Sequence, residues 1–379
     1  EKYYNSGCFF KDLSKRISIP TESQNPKMIS YLYDYLIKEI TPYLTKIGFN
    51  CKIYENTDLK FKGPFLLANR HESDDFPTVL MYGHADVVMG EKDSWNNDLT
   101  PWKLIKKDGR LYGRGTADNK GQHTINLAAI KNVLKVRKNK LGFNIKILIE
   151  TGEENGSPGL REFCLKNKKL LKADVLIASD GPRLNIERPT IFMGSRGVFN
   201  FTMKVNLREG AHHSGNWGGL LSNPGIILAH AISSLISSRG EIKVKGLKPK
   251  IIPLSVKKVL KKINISHNDD TPKIDLNWGE KTLSPEEKVF AWNTLEILSF
   301  KTGNPEKPMH AIPHEAFANC HIRYVVPSDP KTFLKKIRDH LDEKGFNIVK
   351  IKSTRGFMSA TRLDPNHPWV KWTIKSLKK

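Results

Sequence analysis

The chain has 379 residues, 39% of them hydrophobic, enough for one large domain or two ordinary ones and too apolar for a disordered polyelectrolyte. Lysine and arginine number 62 against 39 acidic residues, a net charge of +23. The basic runs KVRKNK (135–140) and KVKGLKPK (243–250) hold no aromatic residue to stack a base, so the excess reads as a lysine-rich surface and no specific nucleic-acid partner is expected. No uncharged apolar run approaches the ~20 residues that span a bilayer, and the first residues lack the apolar region of a signal peptide, so no membrane partner is expected. Cys8, Cys51, Cys164 and Cys320 are scattered without a C-x-x-C pair. That pattern fits free thiols in a reducing, cytoplasmic setting.

In chain order, residues 27–49 space apolar residues as a helix does and end at Gly48. FLLAN (65–69) and TVLMYGH (78–84) are strand-like by length. The loop GRGTADNKG leads into an amphipathic helix over 122–138. FNIKILIE (143–150) is the next strand, and 157–171 reads as a helix with Ser157 and Pro158 at its cap and first turn. DVLIASD (174–180) is a strand again. Strand–helix alternation predicts an α/β sheet flanked by helices. From 195 the pattern changes. A strand (197–207), a helix (223–238), a strand (314–327), a helix (329–345) and a strand (346–353) read as an α+β module inserted into the first. Residues 240–306 give no clear element. The last stretch reads as a helix started by Asp364-Pro365.

The residues able to hold a cation fall at strand ends. His84 and Asp86 follow TVLMYG, Asp118 precedes a helix, Glu153 and Glu154 follow FNIKILI, and Asp180 closes DVLIAS. In an open α/β sheet ligands bind beyond the carboxyl ends of the strands. Each residue alone has an ordinary structural explanation as a helix cap, a turn or a solvated acid. Together they form a cluster that repels itself unless a divalent cation reverses the electrostatics. The stretch IETGEENG (149–156) poses the question most sharply, because it sets two glutamates side by side.

GHADVV, GRGTADNKGQ, ETGEENGS and SDGP, in this order, resemble the co-catalytic di-zinc peptidase family. Its members include aminoacylases, carnosinase-like dipeptidases, glutamate carboxypeptidase, acetylornithine deacetylase and succinyl-diaminopimelate desuccinylase. The resemblance implies an α/β catalytic domain with a mostly parallel sheet and an inserted α+β lid domain that mediates homodimerisation. The corresponding ranges here are 1–194, 195–355 and a return to the catalytic domain at 356–379. It implies two divalent metal ions, zinc first, with cobalt or manganese as alternatives. By motif, His84 and Asp180 would bind the first ion, Asp118 would bridge both and Glu154 would bind the second. Asp86 would orient the His84 imidazole, and Glu153 would be the general base. A cis peptide after Asp118 is also implied.

EGAHHSGNWGG (209–219) resembles the lid loop whose histidine reaches the partner subunit's site, and the H-S-G match selects His213 to hydrogen-bond the developing oxyanion. CHIRYVVP (320–327) resembles the lid strand whose arginine, here Arg323, binds a substrate carboxylate. His310 stands where relatives carry Asn or Thr, and His367 reads as structural. The family's last metal ligand is a histidine near the C-terminus, after the final helix. This sequence stops at Lys379, in or just after that helix, so a missing C-terminal segment is the expectation.

The implied activity is metal-dependent hydrolysis of an amide bond in a small carboxylate-bearing substrate. A dipeptidase, a carboxypeptidase and an N-acyl-amino-acid deacylase all fit, with Asp180 leaning toward dipeptidases. The alternative is a truncated, catalytically weak relative that serves as a dimerising or binding module.

Overall fold

The structure, a computed structural model, describes residues 2–96, 98–181, 189–265, 272–354 and 356–378. Pro182 of the SDGP motif and residues 266–271 of the unassigned stretch lie outside them. The chain divides into two compact units, 1–182 and 183–379.

The first unit is built on a five-stranded sheet. Its strands are β1 (Asn50–Tyr54), β2 (Phe65–Arg70), β3 (Thr78–His84), β6 (Asn144–Glu150) and β7 (Val175–Ala178); β4 (Ile105–Lys107) and β5 (Arg110–Tyr112) form a separate hairpin. The order is β1-β2-β6-β3-β7. β3 runs parallel to both neighbours, with Tyr82 opposite Leu148 and Ala178, while β2 is antiparallel to β1 and β6. The sheet is therefore mixed, and its parallel part is the part that gathers the acidic loops. β6 reads as a nearly continuous apolar run because both its faces are covered. Ile145, Ile147 and Ile149 pack with Leu36, Ile40, Leu127 and Leu134 on one face, and Leu148 packs with Phe65 and Phe163 on the other.

Two expected helices differ in detail. The segment 27–49 has a 3-10 turn at Pro26–Met28, α-helix at Ile29–Asp34 and Thr41–Lys46, and a π-helical stretch at Tyr35–Ile40 between them. Pro42 explains the widening: it has no N–H for the Lys38 carbonyl, and its ring would crowd that oxygen in a regular α-turn. The helix expected from Ser157-Pro158 begins at Leu160, after Gly159 in the left-handed region (φ 80°), and breaks before Lys168–Leu171. Ser157 does not cap it; its hydroxyl donates to Glu150 instead, at 2.9 Å.

The second unit carries a four-stranded antiparallel sheet ordered β10-β12-β8-β13. Here β8 is Gly197–Asn206, β10 is Thr294–Thr302, β12 is Glu315–Tyr324 and β13 is Lys350–Ser353; β9 (His212–His213) and β11 (Ala311–Ile312) pair as a small ribbon. β12 alternates strictly, with Ala316, Ala318, Cys320, Ile322 and Tyr324 inward against the helices Pro224–Leu235 and Phe333–Glu343. The stretch without a sequence assignment supplies helices Leu254–Leu260 and Pro285–Ala291, the second opened by a Ser284–Glu287 capping box, with a small core of Ile252, Leu260 and Ala291. The final helix, Pro368–Leu377, starts three residues later than expected, and the His367 ring nitrogen accepts the Trp369 N–H at 3.3 Å. No helix among the described residues is long and apolar enough to cross a membrane.

Candidate metal centre

Because β3 is parallel to β6 and β7, their carboxyl ends share one edge of the sheet. His84 ends β3, the turn 151–155 follows β6, and Ser179-Asp180 follow β7. The loop 113–119 brings in Asp118 just before the helix Lys120–Val136. That loop lies hard against the helix: a Cβ on Gly121 would stand 1.8 Å from the Thr116 carbonyl oxygen. The Asp118–Asn119 peptide is cis.

His84 is fully buried. Its Nε2 lies 2.7 Å from Asp118 Oδ1 and 3.9 Å from Asp180 Oδ2. Its Nδ1 faces Asp86, 3.1 Å from the carbonyl oxygen and 3.4 Å from the carboxylate. Potential ligand atoms of His84, Asp118 and Asp180 all lie within 4.8 Å of one another, and so do those of His84, Glu153 and Glu154. Six sequence candidates thus meet in the first unit.

Asp86 shows how the side-by-side glutamates are held. Its two carboxylate oxygens accept the backbone N–H groups of Glu153 (3.1 Å) and Glu154 (3.0 Å). One buried carboxylate fastens the turn at two adjacent residues and satisfies donors that a 3-10 turn leaves open. The N-terminal segment adds a second brace: Thr21 Oγ1 donates to the Ala85 carbonyl (2.7 Å), Val87 N–H to Thr21 (2.9 Å) and Gln24 Nε2 to the Glu154 carbonyl (2.9 Å). These braces were not read from the sequence. The polar run TESQN (21–25) was their one visible trace.

The electrostatics of the ion-free cluster are those of acids short of positive charge. Burial would push the His84 imidazole down, but hydrogen bonds and charge from Asp118 and Asp86 outweigh it and hold it up to about 11. The same hydrogen bond lowers Asp118. Burial raises Glu153, whose neighbours His84 and Asp180 act in opposite directions. Burial and then Asp118 push Glu154 up to about 7, and burial raises Asp180. The donor set, one imidazole and several carboxylates, is the zinc-type set. In a tetrahedral zinc shell neighbouring donor atoms stand ~3.3 Å apart, and the observed 2.7 and 3.9 Å bracket that spacing. The residues present fit a divalent metal.

Glu150, the last residue of β6, is fully buried. Its Oε1 accepts from Tyr82 (2.6 Å) and Ser157 (2.9 Å), and Oε2 has no hydrogen-bond partner among the described residues. Burial pushes its carboxyl up to about 7, against the pull of those two hydroxyls. An acid whose folded pKa exceeds its unfolded value favours folding fully below the unfolded pKa, and that contribution is lost as pH rises through the folded value. In metal-free protein, Glu150→Gln is therefore expected to gain stability relative to the wild type by about 1.4 kcal/mol per pH unit between the ordinary carboxyl value of 4.5 and about 7, and no further above that. Urea unfolding at about pH 5 and about pH 7 checks this; a difference that stays constant between them contradicts it.

His213 and Arg323 belong to the second unit. His213 is exposed on β9, opposite Ala311. Its Nδ1 accepts the Gly215 N–H at 3.2 Å, which places the proton of the neutral ring on Nε2 and leaves that atom as a donor. Arg323 is half-buried on the open face of the second sheet, opposite Thr294 and Val198 and two residues from His321. His310 contributes its carbonyl, which accepts the Ser214 N–H at 2.8 Å.

A family model described as peptidase family M20/M25/M40 matches residues 80–379. A beta-Ala-His dipeptidase of Mus musculus is 29% identical over 323 residues, covering 81% of this chain and 63% of the mouse protein. The chain thus spans less than two thirds of that relative's length. A cysteinylglycine-S-conjugate dipeptidase of Corynebacterium striatum is 26% identical over 383 residues, covering 98% of this chain and 80% of its own. Among solved structures, the M20 family metallo-carboxypeptidase Sso-CP2 of Sulfolobus solfataricus superposes with a TM-score of 0.78 at 27% identity, over 98% of this chain and 83% of that one.

Proposed function

The chain belongs to peptidase family M20/M25/M40, and from that premise we propose that it is a metal-dependent dipeptidase acting on a small peptide with a free carboxylate. The observation that carries this reading is the meeting at one sheet edge of two triads that share His84, one with Asp118 and Asp180 and one with Glu153 and Glu154, the ligand-capable atoms of each triad lying within 4.8 Å of one another. The names of the mouse and corynebacterial relatives, both dipeptidases, support the substrate class over N-acyl amino acids.

His84, Asp118 and Asp180 would hold one divalent ion, and Asp118 with Glu154 a second. Zinc fits the mixed donors best, with cobalt or manganese as alternatives. Bound there, the ions would supply positive charge that acidifies water and polarises the scissile carbonyl. Glu153 takes the proton from the attacking water and passes it to the leaving amine nitrogen as the C–N bond breaks. Asp86 holds the backbone of Glu153 and Glu154 in place through its two carboxylate oxygens. His213, whose Nε2 is the donor of the neutral ring, would stabilise the oxyanion in the partner subunit's site, and Arg323 would pair with the substrate carboxylate.

In the same reading residues 195–355 are an inserted lid through which the protein forms a homodimer, and 356–379 return to the catalytic domain. Exposed Leu298 and Phe300 on the edge strand β10, with exposed Ile226 on the helix Pro224–Leu235, support a self-association surface. The four free cysteines support a cytoplasmic setting.

The test is a panel of dipeptides, N-acetylamino acids and C-terminally amidated dipeptides offered to zinc-, manganese- and cobalt-loaded protein. Free dipeptides are expected to be cleaved, amidated ones spared, and cleavage lost on chelation. Loaded protein that cleaves no dipeptide refutes the reading.

A further inference from the structure

Asn119 follows a proposed metal ligand, yet its fully buried side chain points to the backbone on either side of the site. Its Oδ1 accepts the N–H of His84 at 3.2 Å, and its Nδ2 donates to the Ser179 carbonyl at 2.8 Å. The paired ladder of β3 and β7 runs as far as Tyr82 and Ala178. Just beyond, the Asn119 amide stands between the two strand ends, offering one acceptor and one donor as a peptide group does. It thus joins the residue that carries the proposed imidazole ligand to the residue before Asp180. Gln122 Oε1 accepts from the same Nδ2 and selects the orientation of the amide. Gly83 leaves the room this needs: a Cβ there would stand 2.9 Å from Asn119 Oδ1.

We infer that Asn119 is a positioning residue that sets the spacing of His84 and Asp180 for a metal ion. The inference rests on the metal-site reading above. A carboxamide is suited to this position because it donates and accepts at once; an apolar side chain of the same size does neither. Loss of the amide frees both strand ends, each able to drift by the few tenths of an ångström that a tight ligand shell excludes. Residues that orient metal ligands in this indirect way typically control affinity by 10- to 100-fold.

The experiment is zinc affinity by competition with a chromophoric chelator, on wild type, Asn119→Leu, Asp180→Ala and the double variant. Asn119→Leu is expected to weaken zinc about 10- to 100-fold. The loss should shrink at least about threefold in the Asp180→Ala background, because one of the two positioned ligands is already gone. A purely structural role would lower the melting temperature and leave the two losses equal; equal losses, or unchanged affinity in Asn119→Leu, overturn the inference. Should Asn119→Leu fail to fold, Gln122→Ala carries the test. It releases the amide's orientation without emptying its place, and an affinity loss of about threefold or more supports the inference while unchanged affinity overturns it. Wild-type protein that binds no zinc would instead remove the metal-site reading itself.

Discussion

Glu153→Gln is expected to lower kcat on a cleaved dipeptide by about 10²- to 10⁴-fold, the usual contribution of a positioned general base, with bound metal nearly unchanged. The amide has the shape of the carboxylate and cannot take a proton from water. It also leaves the support of the turn intact, because Asp86 holds residue 153 through its backbone N–H. Binding of substrate should change much less than turnover, since the lost interaction belongs to the transition state. Steady-state kinetics beside elemental analysis of the same preparation checks both halves. A variant within about threefold of wild-type kcat removes Glu153 from the role of base.

Asp118→Ala should do comparable damage by a different route. Asp118 lies 2.7 Å from His84 Nε2 and is the residue proposed to face both ions. Without it, the two proposed ion positions lose a shared oxygen. Removing a direct ligand should exceed the loss from a residue that merely orients one, so zinc affinity is expected to fall by more than about 100-fold and turnover with it.

Much of this site was legible because of where its residues stand in the pattern. His84, Glu153, Glu154 and Asp180 each follow a short apolar run, and parallel strands place such positions at one edge whatever the details of the helices. The hydrogen bonds that organise the site were not legible. Asp86 was expected to orient His84, and nothing in the spacing GHAD told that its oxygens also take two backbone donors 67 and 68 residues away. Asn119 reads as one more polar loop residue until β3 and β7 are seen to part on either side of it. Glu150 looks like the polar end of a strand, but it is buried with Tyr82 and Ser157, and that pairing took from Ser157 the capping role its sequence suggested. The same limit holds for the fold. Alternation in β12 was visible from end to end, whereas the π-helical stretch at Tyr35–Ile40 depends on how one proline is absorbed by a helix already committed to a core.

The most direct measurement is the zinc content of the protein after loading and exhaustive dialysis, set beside that of Asp118→Ala. The wild type is expected to retain tightly bound zinc, and the variant to lose it. A wild type that keeps none, or a variant that keeps as much, would contradict the assignment of this sheet edge as a metal centre.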